Sequence, residues 1–292
     1  MRKIRRLGVC AVASLALGMV AATVASAADY PLTELPELGR CVPSPSGEGG
    51  FIGPKCIAHQ AKHKGQWEWL PGPEEGKFKE HLINPRFETV SGAKITCAFL
   101  IMEGEYTSGK TEKINPPITL QGCQDNAINA PCYSNGLEPG TIEGNVALTG
   151  ELGFIPGGIT APWVGWDLKA ENQATPIVTF TCGETSVEIE EKLAKFEELS
   201  PNNTVISFEG SVVGRVTKTN AMHPTFEIRY KQSKGIQIPT ALNGHLEDVL
   251  KEISAPLAKP LQQTSEQVGL SSLKESENIE NAEKLEIKAT QR

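Results

Sequence analysis

The chain has 292 residues, with 28 Lys and Arg against 35 Asp and Glu, a net charge of −7, and 6% aromatic residues. An acidic surface of this kind disfavours nucleic acid, heparin-like polymers or a bare anionic membrane as whole-surface partners, and no basic stripe interleaved with aromatics offsets it. The length suffices for one large β domain or two small ones.

Residues 1–27 have the form of a secretory signal peptide. Met1-Arg2-Lys3-Ile4-Arg5-Arg6 is basic, 7–24 is uncharged and apolar, and Ala25-Ser26-Ala27 offers a small-residue cleavage site. The apolar run is near the lower limit for a membrane anchor, but the cleavage site follows it directly. No apolar run precedes Cys10, which argues against lipidation, and Leu7-Gly8-Val9 lacks the pattern expected of a twin-arginine leader. The leader holds four basic residues and no acid, so its removal leaves 24 Lys and Arg against 35 acids, a net charge near −11. The expectation is export to an extracellular or cell-envelope location, with no transmembrane segment after cleavage.

Residues 28–90 are rich in Pro and Gly, poor in apolar periodicity, and read as an irregular, disulfide-stapled lead-in. Cys56, His59 and His63 stand at ligand-like spacing. A zinc site needs a second His or Cys pair, none follows at the right distance, and His59-Gln60-Ala61-Lys62-His63 lacks the glutamate of a metalloprotease helix. No metal or cofactor is expected. Trp67 and Trp69, two apart in a strand-like run, share one face and are a candidate ligand platform for sugar rings, with packing on the core as the competing reading.

Residues 91–237 form a β-rich core. The runs 94–102, 118–121, 141–154, 164–168, 176–181, 186–190, 205–216 and 225–230 are strand-like, several with strict alternation, and Gly and Pro separate them. A short helix is predicted over 192–199. Gly104-Glu105-Tyr106-Thr107-Ser108-Gly109-Lys110-Thr111 spells a phosphate-binding loop. That motif needs a helix after it, and Pro116-Pro117 interrupts one, so the segment reads as a turn between strands and no nucleotide is expected. Residues 238–292 form an extension with a short helix or turn near 246–253, an extended or mobile stretch over 262–283, and a final strand around Leu285-Glu286-Ile287-Lys288. So many strands with so little helix predict an all-β fold, an antiparallel β-sandwich or barrel.

Cleavage leaves six cysteines, Cys41, Cys56, Cys97, Cys123, Cys132 and Cys182, an even number in an exported chain, so disulfides are the default. Fifteen pairings are open. Loop context favours Cys41–Cys56 across a Pro-, Ser- and Gly-rich loop and Cys123–Cys132 across a polar turn, which leaves Cys97 to pair with Cys182. No catalytic motif stands out: there is no Gly-x-Ser-x-Gly elbow, no Ser-x-x-Lys and no calcium loop, and His81, His223 and His245 are scattered.

Leu38-Gly39-Arg40-Cys41-Val42, Glu68-Trp69-Leu70-Pro71-Gly72, Gly104-Glu105-Tyr106-Thr107, Gln121-Gly122-Cys123, Gly150-Glu151-Leu152-Gly153, Phe180-Thr181-Cys182 and Leu285-Glu286-Ile287-Lys288-Ala289 together resemble a family of secreted actinobacterial proteins with no assigned activity. The resemblance implies a β fold, the cysteine pairing above and a final C-terminal strand; it carries over no functional residue. The charged insert 191–203 is longer than the family pattern. The functional expectation is a non-enzymatic extracellular or envelope module, binding or structural, whose partner is a cell-envelope polymer or protein. The alternative is an envelope hydrolase using two carboxylates that no local pattern selects.

Overall fold

The computed structural model describes residues 35–58, 64–115, 117–157, 162–184, 203–246, 249–257, 262–272 and 278–289, with Glu188, Ala194 and Lys195. The expected signal peptide, His59, His63 and most of the expected helix at 192–199 lie outside these residues. Ala194 is helical; so is Glu188, inside a run read above as a strand.

Alternating apolar residues build the described strands in chain order. The first are β1 (Glu37–Pro43), β2 (Trp67–Pro71), β3 (Lys77–Ile83), β4 (Arg86–Thr89), β5 (Lys94–Thr96), β6 (Phe99–Tyr106), β7 (Thr111–Ile114) and β8 (Thr119–Gln121). Then come β9 (Gln124–Asp125), β10 (Ala130–Tyr133), β11 (Ile142–Glu143), β12 (Leu148–Ile155), β13 (Trp163–Ala170), β14 (Val178–Cys182), β15 (Thr204–Glu209) and β16 (Ser211–Thr217). The rest are β17 (His223–Arg229), β18 (Lys231–Ser233), β19 (Ile236–Ile238), β20 (Ala241–Leu242), β21 (His245–Leu246), β22 (Lys251–Pro256), β23 (Thr264–Ser271) and β24 (Asn278–Lys288).

Two rings close. β3, β6, β7, β12, β13, β16, β17 and β24 pair in that order, and β24 returns to β3. β4, β5, β9, β10, β14, β15, β22 and β23 do the same, and β23 returns to β4. Every joint is antiparallel and each ring follows chain order, so both are up-and-down barrels, and closure leaves no open edge within either ring.

The chain visits the two barrels by turns. β3 leads into the hairpin β4–β5 and returns as β6. The same excursion recurs as β7, β9–β10, β12; as β13, β14–β15, β16; and as β17, β22–β23, β24. Only Gly210 separates β15 from β16, and its φ of 97° suits glycine and turns the strand from one barrel into the other. A single apolar core runs through both barrels. At the waist lies an apolar cavity of about 50 Å³, lined by Leu82, Leu100, Leu168, Phe208, Leu250 and Leu270 among others. Fully buried Leu82, Ile114, Phe226, Ile228 and Ile279 each contribute about 1.5–3 kcal/mol by leaving water.

The boundaries expected near residues 90 and 237 therefore do not separate folding units. Residues 28–90 supply β3 and β4 to the two barrels, and 238–292 supply β22, β23 and β24. The described part of the Pro- and Gly-rich stretch between β1 and β2, residues 44–58 and 64–66, is irregular as expected, apart from isolated bridges at Gly49–Gly65 and Phe51–Trp67. Where residues 246–253 are described, they hold the end of β21, a β-bridge at Val249 and the start of β22 in place of the expected helix or turn. The stretch 262–283 is extended where it is described, and the final strand is present.

Three disulfides join Cys41–Cys56, Cys97–Cys123 and Cys132–Cys182, which indicates an oxidising compartment. The first is as expected; Cys123–Cys132 and Cys97–Cys182 are corrected. Cys132 and Cys182 face each other across β10 and β14. Cys97 and Cys123 extend the β5–β9 register by one residue. The four thus form one row across β5, β9, β10 and β14. At the middle joint the Cys132 N–H donates to the Cys123 carbonyl, while the Cys123 N–H donates to the Gly140 carbonyl; the bonded cysteines lie at the close Cα–Cα distances of 3.9 and 4.1 Å. The expected pairing would leave Cys97 and Cys182 at the two ends of the row, about 14 Å apart at the usual strand spacing and beyond disulfide reach. No described helix is long and apolar enough to cross a membrane.

Candidate functional site: a sealed acidic cluster and a charged exterior

β3 buries every second residue, Phe78, Glu80 and Leu82, so Glu80 occupies an inward position that alternation reserves for apolar side chains. β7 does the same with Glu112, two residues before Ile114. Glu80 is 0% and Glu112 1% exposed. Tyr106 from β6 and Trp166 from β13 are buried in the same barrel. The Tyr106 hydroxyl donates to Asn281 Oδ1 of β24 at 2.7 Å, and its ring lies 4.7 Å from Phe78 and 5.7 Å from Trp166.

Among the described residues, no carboxyl oxygen of Glu80 or Glu112 has a hydrogen-bond partner, nor do Trp166 Nε1 and Asn281 Nδ2. Burial pushes the Glu80 carboxyl up to about 8. Burial, then the neighbouring Glu80 charge, pushes Glu112 well above the usual carboxylate range. Burial and then the Glu112 and Glu80 charges hold the Tyr106 phenol high in turn. Burial thus favours the protonated form of both acids. A carboxyl of this kind is the proton donor a glycosidase uses, but here it is walled off from any substrate. Nothing local marked Glu80 or Glu112 beyond a glutamate in the apolar phase of a strand.

Gly150 makes the cluster possible. A Cβ there would collide with both Trp166 Nε1 and Glu112 Oε1, so the absent side chain gives these two groups their space. Gly150→Ala is expected to lower stability by about 1–3 kcal/mol through overpacking, read as a drop in urea midpoint with an unchanged slope.

The tryptophan platform is not available. Trp67 and Trp69 share a face, but the loop after β1 covers it. Trp69 is 5% exposed, packs with Cys41, Phe51 and Cys56, and donates from Nε1 to Glu37 Oε2 at 2.8 Å. Trp67 is half-buried against the same cluster. Lys288 Nζ sits 4.0 Å from the Trp69 ring and 4.6 Å from the Phe51 ring and donates to the Cys56 carbonyl. Burial lowers this amine to about 8, against the pull of Glu286 and Glu37.

Gly104 lies inside β6 and Thr111 opens β7, so the phosphate-loop spelling is a hairpin, as read from the sequence. The N–H groups of Lys110 and Thr111 donate to Ser108 Oγ. His81 and His245 are exposed and His223 is half-buried, each on a different strand, and no group of three His, Cys, Asp or Glu able to hold a metal occurs among the described residues. An outer concavity of about 650 Å³ is lined by Lys77, Lys79, Glu103, Glu105, Lys113 and Glu280 among others. Its charges alternate across the strands, Lys77 against Glu105 against Lys113 and Glu280 against Lys79 against Glu103, with Lys79 Nζ 2.6 Å from Glu103 Oε1. Such a grid neutralises itself.

Comparison with known proteins adds no relative: no family model, no curated protein and no solved structure matches the chain.

Proposed function

We propose that the protein is an exported, non-enzymatic module that binds a cell-envelope polymer or protein with its outer surface. The observation that carries this reading is the sealed interior: the titratable pair of the first barrel is 0–1% exposed and the waist cavity holds only about 50 Å³, so a ligand of any size meets the outside. Export rests on the leader of residues 1–27, with which the three disulfides agree, and the likeness to secreted actinobacterial proteins points the same way. The outward residues of β3 and β6 include Lys77, Lys79, His81, Glu103 and Glu105, a face suited to water rather than to lipid.

Incubating the mature protein with purified cell wall tests this. Co-sedimentation without soluble fragments is the expected result; sugar or peptide fragments in the supernatant, or no co-sedimentation, would overturn it. A carboxylate hydrolase built on Glu80 and Glu112 would require the sealed pair to open to substrate, fragments to appear and Glu80→Gln to abolish them.

A further inference from the structure

Several cations on the outside of the first barrel are ion-paired: Lys79 holds Glu103, Lys113 holds Glu171, Lys169 holds Glu151 and Asp167, and Arg229 holds Glu227. Arg215 is placed differently. It stands on β16 directly opposite Arg229 of β17, a like-charge cross-strand pair that costs stability. No carboxylate lies within 4 Å of it among the described residues, and its Nε is buried with no hydrogen-bond partner. Its guanidinium is stacked 3.5 Å from the centroid of Trp163, whose side chain is 39% exposed.

Trp163 fixes the plane of Arg215, and Glu227 fixes Arg229: Glu227 Oε1 accepts from Arg229 Nε at 2.8 Å, while its other oxygen accepts from Thr217 Oγ1 at 2.9 Å. Two half-buried guanidiniums thereby project from directly opposed positions of β16 and β17, with Glu227 held between Arg229 and Thr217. A planar fork with free N–H groups matches the paired oxygens of a carboxylate or phosphate, and its pre-set orientation removes most of the ordering cost of binding.

We propose that Arg215, with Arg229 beside it and Trp163 beneath it, is a binding site for a single oxyanion group, a carboxylate or phosphate displayed on a sugar chain or polymer. The overall acidity of the chain makes the site local: it takes one anionic group and repels a continuous polyanion. Its biological ligand rests on the outer-surface reading above; its oxyanion chemistry does not.

The experiment titrates the folded mature chain with galacturonate, inorganic phosphate and neutral maltotriose, reading tryptophan fluorescence. Saturable quenching by one or both anions and none by maltotriose is expected, and whichever anion acts identifies the group. Arg215→Gln should weaken the response at least about tenfold, the loss of a charged hydrogen-bonding partner. Arg215→Lys should weaken it less, and Trp163→Phe should remove most of the fluorescence change. No saturable response to either anion, or equal affinity in Arg215→Gln, would overturn the site. If Arg215→Gln does not fold, Arg229→Gln carries the same comparison. Oxyanion binding without cell-wall binding would sink only the envelope reading, and the reverse would sink only this site.

Discussion

Replacing Glu80 by glutamine should make the protein more stable, and only above about pH 5. In the unfolded chain this carboxyl loses its proton near 4.5; in the folded barrel burial raises it to about 8. Below 4.5 both states are protonated and the group is neutral to stability. Between 4.5 and 8 the unfolded chain gives up the proton while the folded one keeps it, so each step upward in pH favours unfolding; above 8 the penalty levels off. The cost reaches about 4 kcal/mol at pH 8 and under about 1 kcal/mol at pH 5. Glu80→Gln should therefore raise the melting temperature by about 10 °C at pH 8 and little at pH 5. Burial acts on Glu252 in the same sense, raising it to about 7, whereas Lys288, lowered to about 8, acts oppositely, restoring stability as pH rises from 8 toward 10.5. Melting curves from pH 4 to 9 for both proteins decide the matter: parallel pH profiles would mean that Glu80 is not the proton-linked group.

Removing the Cys132–Cys182 bridge should cost about 4 kcal/mol, because it closes a separation of 50 residues. Both sulfurs are fully buried, so Cys132→Ala with Cys182→Ala avoids placing a new hydroxyl in the core. The double variant should unfold at a markedly lower urea concentration. Peptide mapping without reduction should recover a peptide pair holding Cys97 and Cys123 and another holding Cys132 and Cys182. Recovery of a Cys123–Cys132 pair would refute the bonded order within the row.

The strands were legible where one face is wet. In Phe226–Arg229 the alternation is clear, and Leu285-Glu286-Ile287-Lys288 marks β24. The same rule shows why other features were not. Lys77–Ile83 sits in a segment whose Pro and Gly content suggests irregular chain, yet local composition says nothing about a distant strand that needs a partner. Cys123 and Cys132 look like the two sides of one turn, and they are; the bonded partner was set by two further strands, whose order is a property of the closed barrel. Glu80 and Glu112 stood in plain alternation, but a glutamate on a strand is normally read as marking the solvent face, and here tertiary closure overrode it. Trp67 and Trp69 share a face as read; which way that face turns was decided by the loop that Cys41–Cys56 closes.

The repeated excursion of the chain between its two barrels bears on how the molecule can come into being. A polypeptide that emerges N-terminus first could complete neither ring early: the second barrel awaits β23, and the first awaits β24. Until then Phe226, Ile228 and the rest of the inner wall have no opposite side, and unpaired strand margins are open to other chains. Assembly is therefore all but simultaneous from Lys77 to Lys288, with contacts far apart in sequence, a route that is slow and exposed to aggregation. For the same reason no protease cut or shortened gene can release half of this protein in working order.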